Sequence, residues 1–402
     1  MMVLGVLAFV VALVTSVMLH EAGHFLTARL FKMKVTQFFV GFGPTLWSKV
    51  KGETEYGVKA IPAGGFVKIV GMTPLEEVAP ADRERAFINK GGWQRFVVLV
   101  AGSTVHFVIA LVLFFVLLVA WPTVIHGPGQ VAGVQDCITN SASGACEPGA
   151  TPAPAKGVLQ KDDVILAVNG QKVVHGVDDV GAMIRDASAG SIVFTIDRAG
   201  KTQQVTVNPV QFEGKPRVGI NIEDAPSATL DRVGAGSAFT GAFTTFGQTF
   251  VGSFKAMGAV PHEVGQVLSG SQGKRSITAD SGSGSAQVTS VVGVAQISGE
   301  AFKAGGWSGG LATLIGITAS VNLFVGIFNL FPFLPLDGGH VAILAYEKAR
   351  DRWRRRRKLA ALGPVDLAKL MPVTYGALAV IVGIAAIVLY ADIANPVANP
   401  FQ

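Results

Sequence analysis

Four stretches of this sequence are apolar for long enough to cross a lipid bilayer, and no other feature restricts the fold as strongly. A membrane-spanning helix needs roughly 17–25 predominantly apolar residues. Such runs extend from about Val3 to Leu30, Arg95 to Val124, Leu311 to Phe331 and Val373 to Ala391. Of the 402 residues, 50% are hydrophobic and only 15% charged. An average soluble domain is about a quarter charged, so this chain lacks the polar residues to solvate a surface of that length. The first run has no basic leader and no convincing cleavage site, and it reads straight into a polar motif. It is expected to be a retained helix rather than a signal peptide.

Charge orients the spans. The net charge is +6, but the basic residues gather beside the apolar runs. Arg29, Lys32, Lys34, Lys49, Lys51 and the segment from Arg83 to Arg95 lie between the first and second runs. Arg350, Arg352, Arg354, Arg355, Arg356, Arg357 and Lys358 lie between the third and fourth. By the positive-inside rule both connections are cytoplasmic, and both termini and the long middle segment are outside. The expected partner of this charge is a lipid bilayer, not nucleic acid. Cys137 and Cys146 fall in the outside segment with small residues between them. An oxidising compartment favours a disulfide there, with two free thiols as the alternative.

The chain divides at composition changes into 1–126, 127–226, 227–310 and 311–402. In the first part, 56–61 and 66–70 alternate apolar and polar residues around Pro62-Ala63-Gly64-Gly65, which predicts a β-hairpin. Residues 127–226 read as a small soluble domain. Strands are expected at 163–168, 191–196 and 204–207, a tight turn at Asn169-Gly170 and an amphipathic helix at 178–186. In 227–310, Phe239, Phe243, Phe246, Phe250 and Phe254 fall on one helical face. That face packs on protein or lies in the membrane interface. The Gly/Ser-rich stretch from Ser269 to Ser285 reads as a linker, and 142–154 as a loop.

The chemistry is concentrated at His20-Glu21-Ala22-Gly23-His24. Residues four apart on a helix point the same way, so both imidazoles can reach one metal, and Glu21 beside them can act on a metal-bound water. Ionisable groups at the end of an apolar helix are costly, and a bound cation is one partner that compensates them. A catalytic zinc takes a third protein ligand and keeps one position open. Asp337 is the leading candidate. It follows Pro332 and Pro335 and precedes Gly338-Gly339, on the side of the membrane where His24 lies. His340 and His106 are the rivals, while His126, His175 and His262 belong to outside segments. Asn322 and Asn329, seven apart, share a helical face suited to interhelical hydrogen bonds or, at Asn329, to a substrate backbone.

Together these features resemble the site-2 protease family of intramembrane zinc metalloproteases, most closely its bacterial anti-sigma-factor-cleaving branch of actinobacterial type. The resemblance rests on the motif from His20 to Ala28, on Pro62-Ala63-Gly64-Gly65-Phe66-Val67-Lys68, on the inserted outside domain and on Leu336-Asp337-Gly338-Gly339. It implies a polytopic α-helical membrane protein: four transmembrane helices with a membrane-associated β-hairpin, plus an inserted extracytoplasmic PDZ-like β/α domain. It implies one Zn2+ per chain on His20, His24 and Asp337, with Glu21 as catalytic base. Substrate would be engaged by Asn329 and by the strand at Gly64, Gly65 and Phe66. The implied activity is regulated intramembrane proteolysis of single-pass membrane proteins such as anti-sigma factors, after a first cut by another, site-1-type protease. The sequence departs from that family at Gly102-Ser103-Thr104-Val105-His106, where members carry Gly-Pro-x-x-Asn. It departs again at Asp162-Asp163, where Gly-Asp is expected. A binding protein without peptidase activity would not need Glu21 beside a metal. A metal transporter would place further acidic or histidine residues across the spans.

Overall fold

The computed structural model describes residues 2–72, 78–121, 124–138, 146, 150–187, 190–212, 215–268, 290–360, 362, 363, 365 and 367–394. The stretch from Ser269 to Ser285 and part of the 142–154 loop lie outside these residues. The chain begins with α1 (Met2–Leu30), β1 (Val35–Lys51), β2 (Thr54–Ile69) and α2 (Gly92–Ala120). Then come β3 (Val124–His126), β4 (Gly129–Val134), β5 (Val164–Val168), β6 (Gln171–Lys172) and α3 (Gly176–Arg185). Six short strands follow: β7 (Ile192–Arg198), β8 (Lys201–Val207), β9 (Val210–Phe212), β10 (Lys215–Arg217), β11 (Ile220–Asp224) and β12 (Thr229–Asp231). The rest is helical: α4 (Ala235–Leu268), α5 (Val291–Asn329), α6 (Asp337–Arg356) and α7 (Met371–Ala394). These elements form two compact units, one of Met1–Leu117 with Phe239–Gln402 and one of Leu118–Ala238.

In the first unit, four helices are long and apolar enough to cross a membrane: α1, α2, Val292–Asn329 of α5 and Met371–Tyr390 of α7. The third begins well before Leu311, so the expected boundary at 310/311 falls inside a helix. Residues 291–310 contain Glu300, Lys303 and several glycines, which dilute their hydropathy below a span's. Tertiary packing holds them helical nonetheless. Phe302 and Ala295 join Phe9 and Leu314 in one cluster between α5 and α1. Ser290 caps the helix by accepting from the Gly293 N–H at 3.3 Å, and a bend is taken up at Gly306, whose φ is 60°.

The β-hairpin differs from its prediction. Residues 56–61 and 66–70 do not pair with each other. Both pair with β1, the strand that alternation around Pro62–Gly65 did not reveal. Phe38 faces both Tyr56 and Val67, and Phe39 faces both Gly57 and Phe66. The chain reverses instead between Lys51 and Thr54, where Gly52 adopts a φ of 67°. The reason lies in Val35-Thr36-Gln37-Phe38-Phe39-Val40. It is richer in β-branched and aromatic residues than either flank, so it takes the central position. Phe39 stacks on Phe66 with ring centroids 5.6 Å apart.

On α4 the aromatic stripe divides. Phe246 and Phe250 pack edge-on against Phe107 of α2 and Phe254 lies near Phe331, while Phe239 and Phe243 are exposed. Toward the other end of α2, Arg95 forms an ion pair with Glu347 of α6 at 3.1 Å. The second oxygen of Glu347 accepts the Val365 N–H at 2.9 Å. Both side chains are buried, so this pair fixes α6 against α2.

The second unit is built on a sheet of order β11-β4-β5-β7-β8, with β6 paired to β5. The expected strands and helix appear as β5, β7, β8 and α3. Asn169 and Gly170 take the positive φ values of a tight hairpin turn, 50° and 78°. Ile165, Val168, Ile192, Phe194 and Ile196 fill the core against Val180 and Ile184 of α3. Cys137 and Cys146 are bridged, with Cα atoms 5.9 Å apart. Asp162 takes a left-handed φ of 71°, which accounts for glycine at this position in the resembled family. Asp163 beside it is buried and receives both the Nε and an Nη of Arg198 at 2.7 Å and the Gln160 N–H at 2.8 Å. Replacing Asp163 by Ala should destabilise this unit by roughly 3 kcal/mol, the low end of the range for breaking a buried pair, because Arg198 is still 27% exposed. Amide hydrogen exchange of β5 and β7 in the full chain measures it. Exchange as slow as in the unaltered protein would show that the pair contributes nothing.

Candidate metal centre

The three residues singled out as metal ligands meet inside the first unit. His20 and His24 sit one turn apart on α1, are both buried, and bring their Nε2 atoms to 3.1 Å of each other. Asp337 opens α6, and its Oδ2 lies 3.3 Å from each of those nitrogens. Among the described residues this is the group of three or more His, Cys, Asp or Glu side chains able to hold one metal ion. Donors bound to one tetrahedral zinc at about 2.0–2.1 Å are separated by about 3.4 Å. The observed spacings therefore fit such an ion with little movement. The polar accounting agrees: Asp337 Oδ2 is buried without a hydrogen-bond partner, an expensive state for a carboxylate unless a cation joins it.

The helix next to α1 prepares the donors. His24 Nδ1 donates to the Val98 carbonyl of α2 at 2.7 Å, which leaves the Nε2 lone pair directed at the cluster. A Cβ at Gly102 would collide with both imidazoles, so the close approach of α2 to the histidines requires glycine there. Asp337 is delivered by the irregular segment after α5. Pro332 and Pro335 prevent helix through that segment, and the Leu336 N–H bonds to the Phe333 carbonyl at 2.9 Å. A Cβ at Gly338 would strike the Leu330 and Phe331 carbonyls, so glycine lets α6 start directly beneath the end of α5.

Glu21 lies beside the inner end of β2. Its carboxylate faces the Val67 backbone N–H, and a Cβ at Gly65 would sit 3.5 Å from its Cγ. The segment Gly65–Ile69 pairs with β1 along one edge, and no further strand covers it among the described residues. Gly64 adopts a φ of 133° where β2 passes the middle of β1, between the partners of Val40 and Phe42, and Phe66 stacks on Phe39.

The two rival histidines stand outside the cluster. His106 is buried on α2, with its ring centroid 4.9 Å from that of His20. Its Nδ1 meets Asn322 Oδ1 at 2.8 Å, and Asn322 Nδ2 donates to Ser16 Oγ at 3.0 Å and to the Thr318 carbonyl at 2.8 Å. His106 thus belongs to a polar chain joining α1, α2 and α5. His340, three residues into α6, is pushed below its ordinary value by burial. Asn329 occupies the last position of α5 and is half-buried. Sequence reasoning passed over Val98 and Gly102. A backbone carbonyl carries no side-chain signal, and Gly102 was noted only for the residues that follow it.

Comparison with known proteins agrees with this geometry. Residues 8–373 match peptidase family M50. The chain is 36% identical to zinc metalloprotease Rip1 of Mycobacterium tuberculosis, over 99% of each chain. It is 35% identical to the Rip1 of Mycolicibacterium smegmatis, over 98% of each. With four helices long and apolar enough to cross a membrane, the chain belongs to peptidase family M50, the site-2 protease family of multi-pass membrane zinc metalloendopeptidases.

Proposed function

We propose that His20, His24 and Asp337 hold the zinc ion, that Glu21 is the general base, and that the substrates are single-pass membrane proteins, anti-sigma factors among them. The observation that carries the reading is the convergence of three donors at 3.1–3.3 Å with Glu21 on the same helix. Zinc held by these three residues would supply Lewis acidity toward a water molecule and the peptide carbonyl. Glu21 then takes the proton of the attacking water and passes it to the departing amine. Val98 fixes the His24 tautomer throughout, and burial keeps bulk water from the site.

A substrate helix hides its peptide bonds in its own hydrogen bonds, so it must be unwound before cleavage. The open edge of β2 at Gly64, Gly65 and Phe66 supports that role, since it can take an extended segment as an added strand within reach of Glu21. Asn329 would hold the substrate backbone from the α5 side. Residues 127–226 are assigned as a PDZ-like extracytoplasmic domain. That assignment draws on the small sheet closed by α3 and on a disulfide suited to an oxidising compartment. The domain would act as a filter admitting substrates already shortened by another protease. The basic residues in the second half of α6 and those following α1 support a cytoplasmic position for the zinc end of the spans.

Glu21→Gln should lower proteolysis by about 10²–10⁴-fold while zinc content stays at one per chain. Activity equal to the unaltered enzyme would remove Glu21 from the mechanism. Zinc measured by elemental analysis of detergent-purified protein should fall sharply in Asp337→Ala and in Gly102→Leu but persist in His106→Ala. Loss that follows His106 would move the third ligand to α2. Deleting residues 127–226 should permit cleavage of substrate that has not received its first cut. A deletion that leaves this uncut substrate intact while still processing the shortened one would refute the filter.

A further inference from the structure

The charges of α6 sort onto two faces. On the inner face every charge is satisfied. Glu347 pairs with Arg95, Arg350 with Asp351 and the Leu362 and Gly363 carbonyls, and Arg354 with the Ala360 carbonyl. On the outer face, Ala345, Lys348, Ala349, Arg352, Arg355 and Arg356 recur at helical spacing and line an open groove of about 570 Å³. Among the described residues no carboxylate lines this groove, and none of its four cations has an ion-pair or hydrogen-bond partner. Like charges three and four residues apart on a helix repel each other, so this face is stabilised by an anion from elsewhere. The two alanines leave room for one.

Two further observations define that anion. The stem of Lys348 lies against Gly92, the first residue of α2. The free N–H groups of that helix end add positive potential, and its first turn contains no acidic residue. Tyr346 and Trp353, seven apart on the same helix, are 60% and 50% exposed. Exposed amphipathic aromatics of this kind sit at the headgroup level of a bilayer, and α6 lies between two membrane-spanning helices, α5 and α7. We propose that Lys348, Arg352, Arg355 and Arg356 form a binding site for the phosphodiester headgroup of an anionic phospholipid. The guanidinium forks pair with phosphate oxygens in the bidentate manner that arginine allows, and the aromatic pair places the acyl chains in the bilayer. Free phosphate shares the headgroup chemistry but has no use for Tyr346 and Trp353.

Native mass spectrometry tests this on the full detergent-solubilised chain, presented with equal amounts of phosphatidylglycerol and phosphatidylcholine. Phosphatidylglycerol should be retained selectively. K348Q/R352Q/R355Q/R356Q should lower its retention by about tenfold or more. K32Q/K49Q/K51Q/K90Q, which removes the same charge from the segment between α1 and α2, should leave it unchanged. The milder R352Q/R355Q variant should show an intermediate loss with an unaltered melting temperature. Equal retention of the two lipids, or equal loss in both quadruple variants, overturns the site. Binding of inorganic phosphate as tight as that of short-chain phosphatidylglycerol overturns the lipid assignment.

Discussion

The hydrogen bond from His24 to the Val98 carbonyl and the glycine contact at Gly102 hold α1 and α2 together beside the two histidines. Everything polar inside the helices is arranged around that approach. Two imidazoles and a carboxylate surrounded by apolar helices lose their hydration, and the loss is tolerable only where each donor has a fixed counterpart. The Val98 carbonyl serves one nitrogen of His24. The opposite nitrogens of the two histidines and the Asp337 oxygen converge on one point, at spacings that fit a tetrahedral zinc ion.

Asp337 reaches that point from the far end of the sequence, and two features hold it there. The proline-broken segment after α5 sets where α6 begins, and the buried Arg95–Glu347 pair sets how α6 lies along α2. Because Arg95 and Val98 are one helical turn apart on α2, the same stretch of helix positions both His24 and the helix that carries Asp337. Asn322 adds a third connection. It links α5 to Ser16 on α1 and to His106 on α2, so all three helices around the cluster are tied by polar contacts. Such contacts are costly to leave half-made in an apolar interior, and here they are paired.

The β segment contributes a different kind of order. By taking the centre of the sheet, Val35–Val40 leaves Gly65–Ile69, next to Glu21, with no second strand paired to it among the described residues. A simple hairpin of 56–61 on 66–70 would have occupied that edge. The position of β1 therefore keeps 56–61 from pairing along that side of β2. The second unit is stabilised in the ordinary manner of a small soluble domain, by an apolar core under one helix, one disulfide and the Asp163–Arg198 pair.

The sequence by itself determined the four apolar helices, the two histidines and glutamate on one of them, and three strands of the second unit. These follow from local periodicity, from hydropathy and from turn residues such as Asn169-Gly170, all of which act over a few neighbouring positions. It also pointed to Asp337, because two prolines and two glycines around a lone acid at the end of a span have few other uses. Only the tertiary structure decided which strand lies at the centre of the β segment, since three alternating runs compete and only packing against one another ranks them. It alone extended α5 back to Val291, where contacts with α1 outweigh a diluted hydropathy. It alone placed His106 on Asn322 rather than in the cluster, and gave Val98 and Gly102 their parts. Contacts between residues far apart in the chain leave no periodic trace in it.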